Sequence, residues 1–243
     1  MIIRFILIAS VIYFSFIASL EASVVMTGTR VIYPGDAKEV SVQFNNKDGF
    51  SNVVQLWTDT GTSDSTPETA DGPFVVLPTV FKVPAHKGQM VRLVYTGDTL
   101  PSDRESVFYL NFLQIPPVNP VITDNKMLVM LRNRVKIFYR PVGLQGKSIE
   151  LHSKLRFSIN RNSLNGQLFL QAHNPTPYYA SFSKGLVKLQ EREVKISVDM
   201  IEPYSTRQWP IDNLIIPKGT PVEFSFSVVS DQGAHIPKTV VIN

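Results

Sequence analysis

Apolar and polar residues alternate with a period of two along much of this chain, the mark of half-buried strands, and turn formers interrupt the alternation at short intervals. Val40, Val42 and Phe44 alternate strictly with polar neighbours. Strand-like runs at 24–33, 39–45 and 52–59 are parted by Pro34-Gly35-Asp36 and by Asn45-Asn46-Lys47-Asp48-Gly49. Residues 61–72 are rich in Thr, Ser and Asp and predict an exposed loop. The extended pattern resumes over 74–83, bracketed by Pro73, Pro78 and Pro84. Proline cannot donate to a ladder, so this segment belongs at an edge or a bulge. Further strands are predicted at 90–95 and 106–115, the second with Phe108, Leu110 and Phe112 on one face and a stop at Pro116-Pro117.

The next segment, MLVMLRNRVKIFYRP from Met127 to Pro141, breaks the pattern. Its first five residues are all apolar: Met127, Val129 and Leu131 share one face of a strand, Leu128 and Met130 the other, so both faces expect cover. Arg132, Arg134, Lys136 and Arg140 then fall together on the even-numbered face. Taken alone, the segment suits the central strand of a sandwich with a solvated basic end. It favours that reading over the capture of another chain, by strand addition along an apolar edge and by holding a carboxylate, which the rest of the chain brings forward.

About seven or eight short strands precede residue 140, the number an immunoglobulin-like sandwich uses for one domain. RPVGLQG, residues 140–146, marks a boundary, after which the pattern restarts at 155–159, 167–173, 180–189, 194–198, 207–211, 222–229 and 239–242. No segment has helical periodicity beyond a turn or two. The chain is therefore expected to be all-β, with two immunoglobulin-like β-sandwich domains at 23–141 and 142–243.

Residues 1–22 read as a secretory signal: Arg4 gives the positive start, 5–17 are apolar apart from Ser10 and Ser15, and Ala22 offers a small residue for cleavage. The 243 residues include no cysteine, which excludes disulfides, zinc–thiolate sites and thiol catalysis. A net charge of +4 without any run of consecutive cations makes nucleic acid a poor partner. Histidines 86, 152, 173 and 235 are scattered, none at a metal-ligand spacing, and no nucleophile elbow or phosphate-cradling loop occurs. Asp103 and Glu105 are a paired-carboxylate candidate, but Arg104 lies between them in a turn, DRES, that feeds a strand. These features point to a non-enzymatic protein with neither metal nor cofactor.

Several short motifs occur together in order. They are Thr29-Arg30, Gly72-Pro73 with Pro78, Met90-Val91-Arg92-Leu93, LPSDRESVFY over 100–109, Asn111, Ile115-Pro116-Pro117, VKIFYRP over 135–141, and Asn174-Pro175-Thr176-Pro177-Tyr178-Tyr179. With them, the chain resembles the PapD-like periplasmic chaperones of pilus and fimbria assembly over nearly its whole mature length. The resemblance implies two sandwiches in an L shape, with Arg30 and Lys136 anchoring the terminal carboxylate of a bound pilus subunit in the cleft. It implies that Met127, Val129 and Leu131 are lent to the subunit as a donated strand, completing a sandwich that lacks its last strand. It further implies that Arg92, Glu105 and Arg140 form an ion-pair network fixing the two domains. The expected partners are pilus subunits, both pilins and adhesin, and an outer-membrane usher, with a self-capping dimer of the free protein through its apolar strands. The lack of cysteine and the moderate 117–127 loop resemble the short-loop branch of the family. Simple alternation puts Lys136 on the face opposite Met127, Val129 and Leu131, which calls for a bulge or twist between Leu131 and Lys136. The other functions left open by the residues are a structural or adhesive component of a surface fibre and, disfavoured by the scattered histidines, an exported hydrolase.

Overall fold

The computed structural model describes residues 24–97, 99–117, 127–162, 164, 166–217 and 219–242. The expected signal segment 1–22 and most of the 117–127 loop lie outside these residues. The first half carries β1 (Val24–Met26), β2 (Arg30–Pro34), β3 (Val40–Asn46), β4 (Asn52–Asp59), β5 (Phe74–Leu77), β6 (Val80–Val83), β7 (Gly88–Tyr95), β8 (Ser106–Ile115) and β9 (Leu131–Arg140). They form two facing sheets, one in the order β1-β3-β7-β5 and the other β2-β9-β8-β4-β6.

Two runs that look continuous in sequence are each divided between the sheets. At 24–33 the strand breaks at Gly28, whose φ of 92° is open to glycine and strained for other residues. Before the break β1 pairs with β3; after it β2 crosses to the opposite sheet and pairs in parallel with β9. At 74–83 the break is the cis Leu77-Pro78 bond, with β5 on one sheet and β6 on the other. Both pieces are edge strands, where the flanking prolines deprive no neighbour of a donor. Gly72 is required for a different reason: a Cβ there would lie 2.7 Å from the Thr58 carbonyl carbon, too close for any side chain.

The inward-facing residues meet in one core. Phe44 packs edge-on to Phe112 at 5.2 Å, and Tyr33 and Phe108 both pack edge-on to Phe74, at 5.2 and 5.4 Å. Burying each such side chain stabilises the fold by roughly 1.5–3 kcal/mol, the only large source open to a chain without disulfides.

The second half repeats the architecture with β10 (Arg156–Arg161), β11 (Leu168–Asn174), β12 (Phe182–Leu189), β13 (Arg192–Lys195), β14 (Ser205–Ile211), β15 (Val222–Val229) and β16 (His235–Ile242). A three-stranded sheet β10-β11-β14 faces a four-stranded sheet β13-β12-β15-β16 over a separate core that includes Leu170, Trp209, Phe224 and Phe226. Pro237 lies in β16, an edge strand. Helical structure among the described residues is confined to single turns, Pro67–Thr69, Ser148–Glu150 and Leu151–Lys154. The architecture is two immunoglobulin-like sandwiches, each with its own core.

Candidate functional site

The site is built on β9. Its antiparallel ladder with β8 runs without a register shift from Ser106↔Tyr139 to Gln114↔Leu131. Odd-numbered side chains therefore keep to one face throughout: Ile137 is 0% exposed in the core, and Val135 and Tyr139 pack against the same core. Arg132, Arg134, Lys136, Phe138 and Arg140 occupy the outer face. No bulge intervenes between Leu131 and Lys136, so the apolar residues continue the inner face and the cations the outer one. The two groups address different sides of anything that binds here.

The other edge of β9 changes character along its length. β2 pairs with it only from Arg30↔Lys136 to Pro34↔Arg140. Ahead of that register, residues 131–135 have β8 on one side and no strand on the other among the described residues. The strand begins at Leu131 rather than at Met127, and 127–130 belong to no strand among the described residues. Cover on both faces, expected from the apolar run, is absent among the described residues: Met127 is 88% exposed, Val129 61% and Leu131 49%, with Leu128 and Met130 also exposed. A contiguous apolar stretch of this kind on a soluble domain marks an interaction site.

Where the free edge meets the start of β2, two cations stand side by side, because Arg30 and Lys136 are in-register neighbours on parallel strands. Arg30 donates from Nη1 to the Val229 carbonyl of the second sandwich at 3.1 Å and lies 5.5 Å over the Phe138 ring. Its Nε is buried and meets no acceptor. Burial lowers the Arg30 pKa, and it lowers that of Lys136 too, where repulsion from Arg30 and Arg134 adds to it. Neither forms an ion pair with any carboxylate among the described residues. Two partly desolvated cations held together without a counterion make a receptor for an anion, and an orphaned buried donor adds to the demand.

The sandwiches meet beside this pair. Glu105, 4% exposed, accepts from Arg140 Nε at 2.7 Å and from the Tyr179 amide at 2.8 Å, while its own amide donates to the Pro177 carbonyl at 2.9 Å. Arg140 also makes a bidentate pair with Asp231, at 2.8 and 2.9 Å, and Ser148 donates to the same carboxylate. Burial pushes the Glu105 carboxyl up, with Arg140 and the Tyr179 amide pulling against it. Burial also opposes ionisation of Asp231, but hydrogen bonds from Arg140 and Ser148 outweigh it and hold that carboxyl below its usual range. Arg140 is the hub, a planar fork serving two carboxylates from different sandwiches.

Arg92 does not join this network. It lies on β7, in the opposite sheet, where it pairs at 3.2 Å with Glu39 and both side chains are about half exposed. Asp231 takes the place expected of it. In sequence Asp231 is a turn residue in Ser-Asp-Gln-Gly, 91 positions from Arg140, and nothing local distinguishes it. Asn111 stands among the motifs noted in the sequence, whereas Trp57 and Asp59 carry no local signal; all three are buried beneath Arg132 and Arg134.

With this geometry in view, known proteins give a consistent match. Residues 23–145 match the family described as pili and flagellar-assembly chaperone, PapD N-terminal domain, and residues 150–240 match the pili assembly chaperone PapD, C-terminal domain. The probable fimbrial chaperone YadV of Escherichia coli K12 is 37% identical over 226 residues, 91% of each chain. The chaperone protein HifB of Haemophilus influenzae is 38% identical over 192 residues, 77% of this chain and 76% of that protein. The crystal structure of YadV superposes with a TM-score of 0.77 at 35% identity, covering 91% of this chain and 100% of that one.

Proposed function

The chain belongs to the PapD family of pili-assembly chaperones, and from that premise we propose how it holds its clients. It captures a pilus subunit, pilin or adhesin, by lending residues 127–135 as a strand. Met127, Val129 and Leu131 fill the subunit's open core, and Arg30 and Lys136 grip its terminal carboxylate. The observation that carries this is a single junction: the free edge of β9 ends where β2 begins, and the two unpaired cations stand at that end.

The junction also sets the direction of the incoming strand. A strand lying beside residues 131–135 continues the line of β2, so its carboxylate end reaches Arg30 only if it runs the same way as β9. The client strand is thus parallel to β9, as β2 is. Three side chains of the Met, Val and Leu type contribute roughly 1.5–3 kcal/mol each when fully buried, and hydrogen bonds to a charged group about 1.5–3 kcal/mol each. Neither contribution dwarfs the other, so the strand supplies affinity and the cations fix its register. The capped subunit is kept from pairing its exposed edge with other subunits, and is then passed to an outer-membrane usher. The work is done in the periplasm, behind the signal segment, and needs no cofactor. The domain limits 23–141 and 142–243 place the junction at the inner end of the first sandwich. Membership of a chaperone family argues against a fibre component.

The test is co-expression of the full chain with the pilins of its own fimbrial system. Arg30→Ala and Lys136→Ala are each expected to abolish co-purification of a subunit while circular dichroism and melting temperature show a folded chaperone. Wild-type yields of complex from both variants would refute the anchor.

A further inference from the structure

Beyond Lys136 the outer face of the same sheet carries a layer that client capture by strand and carboxylate leaves unused. Arg134 pairs with the buried Asp59 and lies 3.6 Å over the Tyr109 ring. Burial opposes ionisation of Asp59, but hydrogen bonds from Arg134, Asn111, the Gly61 amide and Ser65 hold the carboxyl below its usual range, so Arg134 is neutralised. Arg132 is held as firmly but differently. It lies 5.1 Å over the Trp57 ring and donates from Nε at 3.1 Å and Nη2 at 2.7 Å to the amide oxygen of Asn111. Its partners are neutral, its side chain is exposed, and no carboxylate lies within ion-pair distance of it among the described residues.

A purely structural donor to Asn111 needs no charge, yet here a charge stands uncompensated on a plane already fixed by stacking and two hydrogen bonds. Little rotamer freedom remains to be lost when an acceptor arrives at the free Nη1. Arg140 is occupied by Glu105 and Asp231, while Asp199 acts on Lys136 only at longer range. Among the described residues Asp59 is then the one carboxylate paired directly with any of Arg30, Arg132, Arg134 and Lys136, with Asp231 and Glu105 acting on Arg30 at longer range. Arg132 stands about 13 Å along the strand from Lys136, at about 3.3 Å per residue. A client strand added beside residues 131–135 sets its own outward side chains next to Arg132 on this face.

We infer that Arg132 is a second, specificity-determining anion contact, which takes an outward Asp or Glu side chain on the client's added strand, apart from the client's terminal carboxylate. Resting on the strand capture proposed above, this makes the chaperone favour subunits with an acid at that place. An exposed charge of this kind acts mainly on the association rate and its salt dependence.

The experiment uses the full chain and the pilus subunit that co-purifies with it, diluted from denaturant into chaperone at low and at high ionic strength. Arg132→Gln is expected to slow association about threefold to tenfold at low salt and by nothing measurable at high salt, with Arg132→Lys restoring most of the salt dependence. Arg30→Ala, in contrast, loses the complex at every salt concentration, which separates failure of the anchor from failure of this contact. A photo-crosslinking residue at position 132 is expected to mark a client segment containing Asp or Glu. Wild-type association kinetics for Arg132→Gln, or crosslinks only to a segment without an acid, would overturn the inference. A wild-type chain that captures no subunit would remove it together with the proposed function.

Discussion

From Lys136 to Tyr139, β9 is paired on both sides, with β2 and with β8, whereas from Leu131 to Val135 only β8 accompanies it among the described residues. The inner half places Ile137 in the core and ties Arg140 to two carboxylates. The outer half and its extension to Met127 expose every apolar residue from Met127 to Leu131. One strand thus serves its own fold at one end and leaves the other end uncommitted, and the uninterrupted ladder with β8 makes the first end the foundation of the second. Changes in the inner half should be felt as lost stability of this chain; changes at the exposed apolar residues from Met127 to Leu131 should be felt only when a client is present.

The largest effect is expected at the hub. Arg140→Met leaves Glu105 buried and unpaired between the sandwiches, a loss of about 3–5 kcal/mol, read as a drop in the denaturant midpoint. Next, Ile137→Ala opens a cavity in the first core and should cost about 2–5 kcal/mol by the same measure. A loss below 1 kcal/mol from either would mean that the inner half is not the rigid foundation described here.

How much of this was legible in the sequence depends on how far each signal reaches along the chain. Alternation is local, and it marked nearly every strand, along with the faces of β9 and the shift from apolar to basic within it. Crossings between sheets leave the alternation intact, so the breaks at Gly28 and Leu77-Pro78 did not show: Val24 and Val31 look like one strand although they pair in different sheets. Ion-pair partners are set by packing over long separations. Arg92 sits in a motif resembling the family's and yet reaches only Glu39, while Asp231 completes the network from an ordinary turn. Arg30 and Lys136 are 106 positions apart in sequence and become neighbours only because β2 crosses to pair in parallel with β9.

Acid should separate the two halves more gently. Asp231 and Asp59 both titrate below their usual range when folded, so each contributes stability that is fully present above an unfolded carboxyl pKa of about 4 and is lost as pH falls through the folded value. Glu105 is shifted upward and works in the opposite sense, its contribution fading as pH rises through its folded value, so the net slope is smaller than the two aspartates alone produce. The melting temperature is expected to fall as pH drops from 5 towards 3, and Asp231→Asn should flatten part of that fall. An unchanged profile in Asp231→Asn would assign the acid sensitivity to other carboxylates.

The smallest effect on the chaperone itself is the most diagnostic. Val129→Ala removes two methyl groups from a side chain that is 61% exposed and touches no core, so the melting temperature of the free chain should move by less than the equivalent of about 0.5 kcal/mol. In the proposed complex the same methyls would be buried in the client, where at about 0.8 kcal/mol per buried carbon their loss should weaken capture by roughly 1.5 kcal/mol, about tenfold in affinity. Ile137→Ala is the mirror case, costly to the free chain and absent from the client's groove. If Val129→Ala destabilised the free chaperone and left subunit capture untouched, the outer half of β9 would belong to this chain's own fold, and the contrast between the halves would fail.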